Sequence, residues 1–216
     1  EVHIVDLSIV DDVDKELAEK MEIYKPDYVG ITFTTPLSKV AIRLAEKIKK
    51  ISPASVLMGG GVHAPTLPKE TLEKSVFDLL VLGEGEDTIL DLVSGKDWGQ
   101  IAGIAFKKDN EIIINPRRPL IHDLDALPYP AWHLFDLPKY KTARICTRKS
   151  RVGAIETSRG CVFGCNFCNK TVFQRMFRVK SPERVVDELE YMLKFGFKEV
   201  HFWDDGFSTD MDRAKT

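Results

Sequence analysis

The chain has 216 residues and is 44% hydrophobic, enough to bury a core in one large domain or two modest ones. Its 31 basic and 33 acidic residues leave a net charge of -2, so no overall field recruits nucleic acid or anionic lipid. No apolar run approaches the ~20 residues that span a bilayer and no signal-peptide pattern opens the chain; the expectation is a cytoplasmic protein without nucleic-acid or membrane partners.

In chain order, "EVHIVDL" reads as a strand. Val13, Leu17, Met21 and Tyr24 then recur at helical spacing until Pro26 ends the run. "DYVGITFT" is a second, nearly continuous apolar strand, and Leu37, Val40, Ala41, Leu44, Ala45 and Ile48 form the buried stripe of the helix after it. "SVLMGGG" and "FDLLVLGEGE" are two further strands, the latter followed by a short helix over 87–93. Strand and helix alternating at this length imply right-handed crossovers and a parallel sheet with helices on both faces. The fold class expected for residues 1–97 is therefore α/β, a doubly wound parallel-sheet domain.

Ligands of such sheets bind beyond the carboxyl ends of the strands. Those ends carry Thr34, Thr35 and Pro36, then Gly59, Gly60, Gly61 and His63, then Gly83, Glu84 and Gly85. Glycine lets a phosphate or ring approach the backbone where a Cβ would collide; glycine at a strand end also serves simply as a turn. Neither GxGxxG nor GxxxxGK[ST] is present. His63 is readable as a metal ligand or as a loop histidine bonded to nearby backbone.

Residues 98–150 read as a connector. "IAGIAFKKDNEIII" has the form of a hairpin with its polar turn at 107–110, and "NPRRPLIHDLDALPYPAWHLFDLPKY" is an irregular proline-rich linker. The basic group Lys139, Lys141, Arg144, Arg148, Lys149 and Arg151 reads as a solvated stretch of that connector. The third segment, 151–216, begins with the strand "RVGAIETS". Ser181, Pro182 and Glu183 open a helix with a serine cap and a first-turn proline, Val185, Val186, Leu189, Met192 and Leu193 form its buried face, and Gly196 closes it. "KEVHFWDDGF" is the next strand and ends at Asp204 and Asp205. These are the first βα units of a (β/α) barrel, with chemistry expected at the carboxyl rim.

Between that first strand and helix lies "ETSRGCVFGCNFCNK", which brings Cys161, Cys165 and Cys168 within eight residues. Three cysteines in one loop point to metal or redox chemistry in a reducing compartment. Three is one short of a structural zinc site, which would have to recruit Cys146 or a histidine and would make the chain a non-catalytic zinc-binding module, and one short of a ferredoxin cluster.

The Cys-x3-Cys-x2-Cys spacing, with Phe167 just before the last cysteine, resembles the signature of the radical S-adenosylmethionine (SAM) superfamily. The resemblance implies that Cys161, Cys165 and Cys168 hold three irons of a 4Fe-4S cluster and leave the fourth for the amino and carboxylate groups of SAM. Reductive cleavage would then yield a 5'-deoxyadenosyl radical, fed by an external low-potential electron donor and acting on a small-molecule or metabolite substrate. By position Asp204 and Asp205 match the segment that receives the SAM amino group, the plain alternative being two solvated loop aspartates, and Phe167 is expected near adenine or as core filler. The superfamily's Gly-Gly-Glu is absent there.

The order of "MGGGVHAPTLPKE", "VLGEGEDTILDLV", the hairpin, "DALPYPAWHLFDL", the cysteines and "FWDDGF" is similar to the cobalamin-binding radical SAM family, which includes methyltransferases and the anaerobic magnesium-protoporphyrin ester cyclase. That likeness implies cobalamin as a further cofactor, lined by Thr34, Thr35, Gly59, Gly60, Gly61, Gly83 and Gly85. It also implies methyl transfer to an unactivated carbon as the leading reaction, with a cyclase or rearranging enzyme as the second. The Asp-x-His-x-x-Gly signature that supplies a histidine to cobalt is not in this sequence. Because the chain ends soon after its second barrel-type strand, the sequence reads as an excised fragment, expected to turn over SAM poorly.

Overall fold

The computed structural model describes residues 1–141, 147 and 151–216. Cys146 and the basic residues Arg144, Arg148 and Lys149 lie outside the described residues. The described chain divides into two compact units: a sheet unit of Asp12–Leu120 with Phe167–Phe173, and a second unit of Glu1–Asp11, Ile121–Asn166 and Gln174–Thr216.

In the sheet unit, α1 (Val13–Tyr24) starts at Asp12, whose carboxylate accepts from the backbone N–H groups of Asp14 and Lys15. Such a cap contributes about 1 kcal/mol. β1 (Tyr28–Thr32), α2 (Ser38–Ile51), β2 (Val56–Gly60), α3 (Pro68–Glu73), β3 (Leu79–Val81) and α4 (Glu86–Val93) follow. β1 pairs with β2 and β2 with β3, all parallel. The hairpin β4 (Ile104–Lys108) and β5 (Glu111–Ile114) continues the sheet antiparallel from β3, giving the order β1-β2-β3-β4-β5. The expected hairpin is therefore part of the sheet rather than of the connector. Its tight turn places Asp109 and Asn110 at φ 50° and 65°, the left-handed pair a two-residue hairpin needs.

The period of two along the strands separates two cores. Leu57, Leu80 and Ala105 face Leu17 and Met21 of α1, Ala41, Ala45 and Ile48 of α2, and Leu72 of α3. Met58, Leu79, Val81, Ile104 and Phe106 face Leu92 of α4 and Ile101. Helices thus cover both faces of a mixed α/β sheet with a parallel core. The stripe expected on α2 is narrower than the sequence implied, because Leu37 and Val40 are exposed. "EVHIVDL" is not a strand: residues 1–6 form no strand pairing among the described residues, and only Leu7–Ile9 turns, as a 3-10 helix. A strand needs a paired backbone whatever its propensity.

In the second unit, β6 (Val152–Ile155) pairs parallel with β9 (Glu199–Phe202), and α5 (Pro182–Leu193) connects them. Ile155, Met192 and Phe197 form its buried centre. β7 (Ser158–Arg159) and β8 (Arg178–Val179) pair antiparallel, before and after the cysteine loop. α6 (Met211–Lys215) closes the described chain. The proline-rich segment is tied in by side chains: Arg178 donates to Ile121 O at 2.6 Å, Arg184 donates to Leu127 O at 2.7 Å, and Asp125 accepts from Ser181 N at 2.9 Å. Tyr140 donates to Asp6 at 2.6 Å. Burial, then that bond, pushes the Tyr140 phenol up to about 12; bonds from Ser8 first and Tyr140 second hold the Asp6 carboxyl below its ordinary range.

Candidate functional site

The glycines at the strand ends are not equivalent. A Cβ at Gly59 would lie 2.5 Å from Leu80 Cδ2 and 3.3 Å from Phe33 Cε1, so this glycine makes room for the core of its own sheet. Gly61, at φ +88°, would place a Cβ 2.7 Å from the Phe33 carbonyl oxygen; it is needed for the close passage of two strand ends. Gly85 is in ordinary contact with Ile89 and Val81. At Gly60 and Gly83 a Cβ would meet nothing within 4 Å. These two are where the backbone is left bare toward open space, the property a ligand crevice requires.

Thr34 and Thr35, also expected to line the crevice, are exposed just past β1. His63 is 7% exposed, and its Nδ1 lies 3.1 Å from Thr35 Oγ1, with the Phe33 ring 5.5 Å away. The histidine is thus bonded to a side chain rather than to the backbone, and it ties the loop after β2 to the one after β1. At these strand ends Gly60, Gly83 and Thr34 are bare or exposed, while Gly59, Gly61 and the His63–Thr35 pair are taken up in packing and in holding the loops.

Cys161 and Cys165 belong to the second unit and Cys168 to the sheet unit. All three thiols are free, Cys161 partly covered and the other two exposed. Among the described residues no three His, Cys, Asp or Glu side chains are gathered so as to hold a metal ion. By donor chemistry the set fits an iron–sulfur group taking three thiolates: soft ligands, engaged in no disulfide, on a stretch without regular secondary structure. Phe167 is 93% exposed; its ring is not core filler.

The two aspartates after β9 have different surroundings. Asp204 Oδ1 accepts from Thr157 N at 3.0 Å, from Thr157 Oγ1 at 2.9 Å, and from the Ser158 hydroxyl. It stitches the end of β9 to the end of β6, immediately before the cysteine loop. Arg213 of α6 adds a bond to Thr157 Oγ1 at 3.2 Å. Among the described residues, Asp204 Oδ2 and the Nε and Nη2 of Arg213 are buried without a partner, so unfilled valences of both signs flank Thr157. Asp205 is exposed. Thr157, Ser158 and Arg213 are not marked out by the sequence; the adjacent hydroxyl pair in "ETSRG" is the one signal available for the first two.

Residues 1–93 match the family model of the B12 binding domain. The chain is 34% identical over 221 residues to an uncharacterized methyltransferase of Pyrococcus horikoshii, covering 99% of this chain and 47% of that protein. It is 33% identical over 203 residues to the anaerobic magnesium-protoporphyrin IX monomethyl ester cyclase of Rubrivivax gelatinosus, covering 90% of this chain and 36% of that one. The chain thus spans less than half the length of these relatives. Among solved structures, the radical S-adenosylmethionine methyltransferase TsrM from Kitasatospora setae, with cobalamin and a [4Fe-4S] cluster bound, superposes with a TM-score of 0.75 over 100% of this chain and 44% of its own. At 21% identity that likeness speaks for the fold. No helix among the described residues is long and apolar enough to cross a membrane.

Proposed function

We propose that this chain, whose residues 1–93 match the B12 binding domain and which is similar over most of its length to a methyltransferase and to an ester cyclase, carries the corrinoid-binding sheet and the cluster-bearing first units of a radical SAM enzyme that transfers a methyl group to an unactivated carbon. The observation that carries the reading is the bare backbone at Gly60 and Gly83 on the carboxyl rim of a parallel sheet, in the segment matched as a B12 binding domain.

Gly60, Gly83 and Thr34 line the space for the corrinoid, and the Thr35–His63 pair holds the loops on either side in register. Cys161, Cys165 and Cys168 would hold a 4Fe-4S cluster. Bound together, these groups supply reductive cleavage of SAM and methyl carriage. The remaining work falls to the chain itself. Asp204 fixes the strand end that leads into the cysteines; Asp205, exposed and acidic, would accept from the SAM ammonium. Phe167 offers an uncovered ring for adenine stacking. A metabolite substrate and an external low-potential electron donor belong to the same proposal. The cyclase relative supports a second reading, a radical SAM cyclase or rearranging enzyme making little use of corrinoid.

Anaerobic reconstitution with iron, sulfide and aquocobalamin separates these readings. The first expects roughly four irons per chain together with corrinoid absorption bands; iron alone favours the cyclase, and zinc as the sole retained metal rejects both. Serine in place of each of the three cysteines is expected to abolish iron retention and leave corrinoid binding intact. Gly60→Ala is expected to leave the melting temperature unchanged or slightly raised while weakening corrinoid binding at least about tenfold. Gly59→Ala should behave oppositely, losing roughly 1–3 kcal/mol of stability by overpacking against Leu80.

A further inference from the structure

The seven residues Phe167–Phe173 belong to the sheet unit, although they continue the cysteine loop. Their anchor is Thr66. Asn169 Nδ2 donates to Thr66 Oγ1 at 2.7 Å, and the hydroxyls of Thr66 and Thr171 lie 3.1 Å apart. Thr171 is fixed in turn: its N–H and hydroxyl both donate to Asn169 Oδ1, at 2.9 and 2.8 Å, and its carbonyl accepts from Arg117 at 3.3 Å. Two hydroxyl protons serve this cluster, one from each threonine. With that of Thr171 directed to Asn169 Oδ1 and that of Thr66 to Val62 O at 2.9 Å, Thr66 Oγ1 accepts from the Asn169 amide, and the contact between the two hydroxyls carries no proton.

The other end of the connection is the glycine-lined rim. Thr66 sits in a turn whose backbone bonds run from Thr66 N and Leu67 N to His63 O. His63 is buried and bonded to Thr35, and Gly61 passes against Phe33 too closely for any side chain. The turn therefore cannot shift without disturbing the ends of β1 and β2. At the far end, the Cys168 thiol lies 3.7 Å from the carbonyl oxygen of Asn169. One unbroken set of contacts leads from the crevice wall, through Thr66 and Asn169, to a cysteine.

We propose that Thr66, Asn169 and Thr171 form a latch that registers the Cys168 arm against the loop after β2, so that a ligand settling on the glycine rim stiffens the arm carrying that cysteine. The latch itself stands on the hydrogen bonds alone. The stiffening rests on the corrinoid reading above and uses the reciprocity of coupled sites: whatever orders the loop through the ligand also lowers the cost of ordering the arm, and the reverse. The three residues are positioning residues and touch no reacting atom.

Hydrogen exchange read by mass spectrometry over peptides spanning 61–67 and 167–173 tests both halves, on the 216-residue chain with and without aquocobalamin, binding being followed by absorbance in the same samples. Without corrinoid, Thr66→Val and Asn169→Leu are expected to speed exchange of the 167–173 peptide about tenfold, the loss of protection that opening a local hydrogen-bonded segment gives, and Thr66→Ser, which keeps the hydroxyl, to restore protection. Equal exchange in wild type and Thr66→Val overturns the latch. With corrinoid bound, the wild-type arm is expected to slow further and the Thr66→Val arm to stay fast; binding that leaves the wild-type arm unchanged overturns the coupling. If aquocobalamin does not bind, the corrinoid reading and the coupling built on it both fail, and the latch is decided by the ligand-free comparison.

Discussion

Glu188→Ala is expected to lower the stability of the second unit by about 3–5 kcal/mol. Glu188 is 2% exposed on the inner side of α5, and its Oε2 accepts from Lys180 Nζ at 2.6 Å. Lys180, just past β8, is itself 8% exposed. Truncating the acid leaves an ammonium in the core with no counter-charge, and that desolvation outweighs the packing lost. The pair as a whole contributes little, since its attraction is largely offset by removing both charges from water. Lys180→Met combined with Glu188→Leu should therefore recover most of that loss, short of wild type because Arg184 Nε, 4.0 Å from Glu188 Oε2, loses its anion. Urea midpoints of the single and double variants check this; a single variant as stable as the double would show that the unpaired ammonium costs nothing.

The second large effect separates the neighbouring aspartates. Asp204→Ala deprives Thr157 N, the Thr157 hydroxyl and the Ser158 hydroxyl of their acceptor at a place where Thr157 and Ser158 are almost wholly buried. Each buried donor left unmade costs about 1–3 kcal/mol; Arg213 donates to Thr157 Oγ1 and so replaces none of the lost acceptors, and a loss of roughly 3 kcal/mol or more is expected. Asp205→Ala should change stability by no more than ~0.5 kcal/mol, as exposed substitutions do. Affinity for SAM is expected to move the other way, falling for Asp205→Ala in cluster-loaded protein. Calorimetric binding together with a denaturation curve for each variant reads both quantities. Equal stability of the two variants would return Asp204 to the simple ligand role that its position in the sequence implied.

The helices are legible in the sequence where the apolar period runs over three turns or more, with a side-chain cap at α1 and α5 and without one at α2. Leu17 and Met21 after Asp12, Ala41, Ala45 and Ile48 in α2, and Met192 behind the Ser181–Pro182 start are all buried as the spacing requires. α3 is not legible, because six residues opening on proline show less than two turns of periodicity. The hairpin is recognisable by its polar turn, but its attachment to β3 is not, since strand pairing is a long-range choice that local pattern does not encode.

Residue type and spacing alone thus established the parallel α/β core, the order of its strands along the chain, and three thiols in one loop. Those properties follow from side-chain periodicity and from chemistry carried within a few residues. Folding in three dimensions sorted residues that look alike on paper: Gly59 filled by Leu80 and Gly60 bare, Asp204 consumed by Thr157 and Ser158 and Asp205 open, "EVHIVDL" left without strand partners among the described residues. Each of those distinctions is set by a neighbour distant in sequence, and steric room, hydrogen-bond satisfaction and strand pairing exist only once that neighbour has arrived.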